Sequence, residues 1–276
     1  MTVATLKEVL NWAGQSKCAV AGLVVLGWED ARAFVDAAEE VGLPVVLQAG
    51  PGARASMPIA IWGKMFRTLA EQARVPVVCH VDHATTLDEC RAGIDSGFSS
   101  VMIDGSRLPL AHNIALTNEV IAQARSAGVS VEGEIGFVGY SDGEASAMTV
   151  PEQAERFDRE TGIDALAISV GNLHLSTEKA SIIDFERLKA IESVTRAPLV
   201  LHGGSGIPIS IRQKLARETR VNKFNIGTEL RQAFGAALRK SLLQQQDEFD
   251  RIRLLMPTIT SLQEAARMSI LSIGKF

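Results

Sequence analysis

Eight short apolar runs, interleaved with segments of helical period, constrain this chain more than any other feature. They are CAVAGLVVL (18–26), PVVLQ (44–48), PVVCHV (76–81), SSVMID (99–104), VSVEGEI (129–135), DALAISV (164–170), PLVLH (198–202) and VNKFNI (221–226). Each is too short for a helix and rich in Val and Ile. Several are continuous apolar stretches, the pattern of strands buried on both faces. Between them lie GWEDARAFVDAAEEVG, TLDECRAGIDSG, HNIALTNEVIAQARSAG, TVPEQAERFDRETG and DFERLKAIESVT, several of which end in Gly, a common helix stop. This alternation, with no long Pro/Gly/Ser linker, predicts an α/β chain folded as a (β/α)8 TIM barrel, a single domain over residues 1–276. Two further helical patterns, FGAALRKSLLQQQDEFDRI and LQEAARMSILSIGKF, flank MPTITS and predict extra C-terminal helices that close the barrel or serve a subunit contact. The alternative, a doubly wound sheet, calls for a Gly-rich dinucleotide turn after its first strand, and VVLGWED is not one.

Composition narrows the function classes. A net charge of −4 with no basic stripe gives no footprint for nucleic acid. No apolar run approaches the roughly 18 residues of a membrane span, and MTVATLKEVLNWAGQ lacks the basic-then-apolar order of a signal peptide. Cys18, Cys79 and Cys90 are odd in number and lack metal-ligand spacing. They read as buried, reduced thiols of a cytoplasmic protein.

The chemistry gathers at strand ends. In a barrel, polar residues at the C-terminal ends of the strands line one shared mouth. The third run ends in Asp82-His83 and the fourth in Asp104. The fifth carries Glu132 and Glu134, two apart and so on one face; GNLHL after the sixth contains His174; the seventh ends in His202, and the eighth carries Asn225. Three imidazoles converging on one point suit Zn²⁺ or another divalent metal, with one position left open for substrate. His80 reads as structural or supporting, and His112 as a surface residue. Asp82 and His83 would point to opposite faces of a regular strand unless the backbone turns there. HGGSGIP (202–208) joins a strand to a helix and exposes backbone N–H groups suited to an anion, and FNIGTEL (224–230) repeats the arrangement.

These motifs together, VDHATTLDEC, SSVMIDGSRLP, SVEGEIG, TGIDALAISVG, DFERLKAI, PLVLHGGSGIP and NKFNIGTELRQAF, resemble the class II, zinc-dependent ketose-bisphosphate aldolases over residues 75–235. The resemblance implies zinc on His83, His174 and His202, with Asp104 and Glu134 at an alternative metal position or supporting it. It implies Asp82 as the base that moves the proton at the bond being made or broken. Gly203, Ser205, Asn225 and Thr228, with Gly204 and Gly227 in the same loops and Gly171 after the sixth run, would hold the phosphate of a dihydroxyacetone-phosphate-like half. The reaction would be retro-aldol cleavage of a phosphorylated ketose, or its reverse, through a metal-stabilised enediolate. A monovalent cation near the phosphate and a homo-oligomer, dimer or tetramer, complete what the resemblance implies.

Departures from the family pattern cluster near the substrate and spare the metal. Where the family has AFNVNN in its first strand, this chain has AGLVVLGWED. Gly50 replaces a Ser, and Leu175 replaces the Gly that follows His174. The loop GYSDGEA puts Asp142 in the place of a catalytic Glu, with Glu144 nearby, and GSRLP introduces Arg107, a cation able to bind a carboxylate or phosphate. The expectation is retained metal–enolate chemistry on a substrate other than fructose 1,6-bisphosphate. The alternatives are a barrel metallohydrolase and a non-catalytic relative that keeps the metal. The retained Asp82 argues against the latter.

Overall fold

A computed structural model describes residues 2–139, 145–175, 177 and 181–275. All eight apolar runs are strands: β1 (Val20–Val24), β2 (Val45–Ala49), β3 (Val77–Ala84), β4 (Ser100–Ile103), β5 (Ser130–Ile135), β6 (Ala165–Ile168), β7 (Leu199–Leu201) and β8 (Val221–Ile226). Every neighbouring pair is parallel, and β8 pairs back onto β1 to close the barrel.

Eleven helices accompany the strands among the described residues: α1 (Leu6–Gln15), α2 (Trp28–Val41), α3 (Pro51–Ser56), α4 (Ile59–Gln72), α5 (Leu87–Asp95), α6 (Leu110–Ser126), α7 (Pro151–Thr161), α8 (Phe185–Val194), α9 (Ile209–Glu218), α10 (Thr228–Gln244) and α11 (Arg251–Gly274). α1 starts on a capping box in which the Thr5 hydroxyl accepts from Glu8 N and the Glu8 carboxylate accepts from Thr5 N. Its apolar face, Leu6, Val9, Leu10 and Ala13, packs against the inward-facing Val20, Val46, Val78, Met102, Ala165, Ala167 and Val200. The N-terminal end of the barrel is thereby plugged. Outward-facing residues such as Leu23, Leu47, Val81, Val101 and Ile103 join the helices in a second, larger core.

Strand alternation accounts for this division, since successive side chains face opposite sides of the sheet. Above the plug, the inward positions become polar: Gln48, His80, Glu132 and Lys223 are all fully buried.

The C-terminal helices divide at a different place from the one MPTITS suggested. The break lies between Gln244 and Arg251, and α11 runs through Pro257. A proline in a helix removes one backbone donor to the carbonyl four residues back. Here that loss falls near the exposed start of α11, which Asp250 caps through Ile252 N, while Ser241 Oγ of α10 donates to Leu254 O at 2.9 Å. The rest of α11 buries Leu262, Ala266, Ile270 and Ile273 and packs on α2, α10 and β1. No helix among the described residues is long and apolar enough to cross a membrane. The three cysteines are free and buried, and burial pushes their thiols up, Cys18 to about 11 and Cys79 and Cys90 to about 12.

Candidate active site

The end of β3 breaks the strand alternation. Its register against β4 shifts between Val81 and Ala84, and His83 takes φ 51°, a left-handed conformation. The bulge adds a residue without continuing the pleat. Asp82 and His83 therefore both line the mouth, where a regular strand would have separated them.

His83 lies beside two other imidazoles. Its ring centroid is 4.6 Å from that of His202 and 5.4 Å from that of His174, and one nitrogen from each of the three lies within 4.8 Å of the others. His83, Asp104 and Glu134 form a second set of the same dimensions, so the two sets share His83. His83 Nδ1 is 2.8 Å from Asp104 Oδ2, and Asp104 Oδ1 accepts from Ser106 N and Oγ at 3.1 and 2.6 Å. Burial opposes charge on Asp104, but the bonds from His83 and Ser106 hold its carboxyl well below the usual range. Burial likewise opposes charge on His83, yet Asp82, Asp104 and Glu134 outweigh it and raise the imidazole to about 10. Glu134 is pushed up to about 7 by burial and the neighbouring Asp104. His174 is driven down to about 3 by burial and the other two imidazoles.

The donor set fits a divalent cation. His202 Nδ1 and Glu134 Oε2 are buried without a hydrogen-bond partner among the described residues, and they face each other at 3.5 Å. Burying such atoms unpaired is costly, and a metal bound by mixed nitrogen and oxygen ligands removes the cost. The other nitrogen, His202 Nε2, lies 3.1 Å from Glu132 Oε1. Glu132 also accepts from Lys223 Nζ at 2.7 Å; although burial opposes its charge, Lys223, His202 and His80 hold it ionised. A carboxylate can only accept, so His202 Nε2 carries the hydrogen and the Nδ1 lone pair faces the cluster.

Asp82 is oriented from below. Its Oδ1 accepts from Gln48 Nε2 at 2.8 Å and from Asn225 Nδ2 at 3.2 Å. Burial opposes its charge, but His83, His202, Lys223 and His80 keep the carboxyl below its ordinary range. Oδ2 lies 3.5 Å from where a Cβ on Gly50 would stand. His80, deeper on the same face, has Nδ1 2.8 Å from Ser100 Oγ and is driven to about 3 by burial and by Lys223. It supports the layer beneath the mouth.

One pocket of about 400 Å³ brings together Asp82, His83, Asp104, Arg107, Glu134, His174, Gly203, Ser205, Asn225, Gly227 and Thr228. Gly203 has φ 64°, and a Cβ there would meet Leu173 O at 1.9 Å, so the loop after β7 requires glycine at that point. Ser205 Oγ accepts from Glu229 N at 3.3 Å and ties that loop to the start of α10. Gly171, Gly204 and His202 are not among the residues that line this pocket. Arg107 sits at the rim with its guanidinium carbon 4.1 Å from the Phe137 ring centroid. Val24 and Leu26 from the β1 end form an apolar wall. Asp142 and Glu144 lie outside the described residues.

Several contributors escaped the sequence reading. Gln48, Lys223 and Asn172 act on residues from other strands; Asn172 Nδ2, for example, donates to His202 O at 3.1 Å. A lysine inside the apolar run VNKFNI was the available signal, because a buried lysine needs a partner.

Three comparisons bear on this geometry. The family described as class-II fructose-bisphosphate aldolase matches residues 4–275. A fructose-bisphosphate aldolase of Geobacillus stearothermophilus is 36% identical over 264 residues, covering 93% of this chain and 92% of that protein. A 6-phospho-5-dehydro-2-deoxy-D-gluconate aldolase of Bacillus subtilis is 35% identical, covering 99% and 96%. The crystal structure of the YdjI aldolase from Escherichia coli K12 superposes with a TM-score of 0.84 at 29% identity, covering 99% of this chain and 97% of that one.

Proposed function

Because the chain belongs to the class II fructose-bisphosphate aldolase family, it is a metal-dependent lyase of phosphorylated sugars, and we propose that its metal is zinc, held by His83, His174 and His202. The observation that carries this reading is the convergence of those nitrogens within 4.8 Å, beside an Asp82 whose Oδ1 is already occupied by two donors. The bound cation would polarise the ketone of the substrate and stabilise negative charge on the adjoining carbon.

The chain's own residues divide the remaining work. Asp82 Oδ2 accepts the proton of the hydroxyl on the carbon that becomes the aldehyde, and returns it in the condensation direction. Gln48 and Asn225 keep that carboxylate aimed. Asp104 and Glu134 hold His83 and supply the alternative oxygen ligands. Backbone N–H groups around Gly203–Ser205 and Gly227–Thr228, at the start of α10, bind the phosphate. Asp142 takes the place of the loop Glu that protonates or deprotonates the intermediate, and Arg107 reads a negative group of the substrate. The alternative metallohydrolase would release phosphate or acid without cleaving a carbon–carbon bond. A cytoplasmic homo-oligomer, with a monovalent cation beside the phosphate, belongs to the same proposal. Light scattering and assays in sodium against potassium buffers read those two points.

The relatives act, by their names, on a bisphosphate and on a phosphorylated keto-acid. The apolar β1 end and Gly50 remove polar groups that the family pattern places near the substrate. We therefore place the substrate among phosphorylated ketoses other than fructose 1,6-bisphosphate. The test is a panel of such ketoses, assayed for aldehyde release before and after chelation. Expected are cleavage abolished by chelator and restored by Zn²⁺, and fructose 1,6-bisphosphate not the best substrate. Chelator-insensitive cleavage would refute the metal site, and fructose 1,6-bisphosphate as best substrate would refute the specificity.

A further inference from the structure

Arg54 lies outside every role assigned above, yet it touches the backbone on which two of them depend. The bulge at the end of β3 takes Asp82 and His83 out of regular pairing with β4, so their carbonyls must find donors elsewhere. Arg54 supplies them. From α3 its Nη1 donates to Ala49 O at 2.7 Å and Asp82 O at 2.5 Å, and its Nη2 donates to His83 O at 3.1 Å. The same Nη2 lies 3.4 Å from Glu89 Oε1, and the Arg54 side chain is only 9% exposed. Glu89 Oε2 in turn accepts from Thr85 N at 2.7 Å and Thr85 Oγ1 at 3.2 Å. One guanidinium thus joins the end of β2, the β3 bulge and the start of α5.

We propose that Arg54 is a positioning residue, holding the left-handed turn at His83 so that His83 and Asp82 stand together at the mouth. The inference rests on the function proposed above. A left-handed residue other than glycine is unfavourable and persists only where its surroundings enforce it. Between them, the Asp82 and His83 carbonyls, one on either side of the His83 Cα, and the Glu89 carboxylate need a planar group with several donors. Arginine offers that fork and lysine does not. A purely structural role predicts only lost stability. A positioning role predicts that metal affinity and turnover fall while substrate binding through the phosphate loops stays.

The test uses the full chain with Arg54→Lys and Arg54→Ala. Zinc affinity is read by chelator competition, and kcat and KM by cleavage of whichever ketose of the panel the unaltered enzyme prefers. Expected are zinc binding about tenfold weaker in both variants, kcat reduced by a similar factor, and KM within about twofold. Millimolar methylguanidinium should restore part of the kcat of Arg54→Ala. Wild-type zinc affinity and kcat in both variants, with only the melting temperature lowered, would overturn the proposal. Should Arg54→Ala fail to fold, Arg54→Lys decides by the same readings. An unaltered enzyme that cleaves no ketose defeats the proposed function instead, and the zinc competition still decides the role of Arg54.

Discussion

Asp82 gives one oxygen to Gln48 and Asn225 and keeps the other toward the pocket. Replacing it by Asn preserves an oxygen acceptor and nearly the same volume, but not the ability to take a proton. Asp82→Asn is therefore expected to lower kcat by about 10²–10⁴-fold, with zinc still bound and the melting temperature little changed. Pre-steady-state aldehyde release and chelator competition on one preparation check both halves. A variant that also loses its metal would show that Asp82 serves the ligands and not the proton. At this scale the sequence was legible in part. The three imidazoles and Asp82 were readable from their positions after apolar runs. The joint orientation of Asp82 and His83 was not, because it depends on one φ angle that no residue type requires. Gln48 and Arg54 were unreadable for another reason: each works on a partner brought close only by strand pairing.

Elements were the most legible level. Each strand showed as a short apolar run because helices cover its outer face and the packed interior its inner one. The exceptions were α1, α3 and α4, which were not among the helical segments read, and the start of α11, which was placed after MPTITS although the helix runs through Pro257. At the junction of β1 and α2, Asp30 is buried and accepts from Leu26 N at 2.8 Å. Burial raises its carboxyl from 3.8 to about 6, against the bonds it accepts from Leu26 and Gly27. The unfolded chain gives up this proton near 3.8, and the folded chain holds it until about 6. Folded protein thus binds more protons in that window, and stability falls as pH rises through it. The loss is complete above the upper value and absent below the lower one, amounting to at most about 3 kcal/mol. Asp30→Asn keeps an acceptor for Leu26 N and cannot ionise. Its melting temperature relative to the unaltered protein is expected to be several degrees higher at pH 7.5 than at pH 4. A difference that stays constant with pH would refute this account.

For the whole molecule, the sequence pattern sufficed for the closed eight-stranded barrel and for a mouth at its C-terminal end. It did not disclose the charged layer beneath that mouth. Lys223 Nζ and Glu132 Oε2 meet at 2.7 Å with both side chains fully buried, one from β8 and one from β5. Removing one partner leaves the other charge stranded, at a cost of about 3–5 kcal/mol. Lys223→Met should lower the urea midpoint accordingly, and adding Glu132→Gln should recover much of the loss. If the double variant is as unstable as the single one, packing of the lysine stem and not its charge is the cause.

The same pair bears on how a growing chain can close. Glu132 emerges before Lys223, its countercharge 91 residues further along the chain. Until the eighth strand arrives, a partial barrel that closed over the fifth would trap a carboxylate without its cation, on top of an open sheet edge. Premature closure is therefore penalised electrostatically as well as by unpaired backbone.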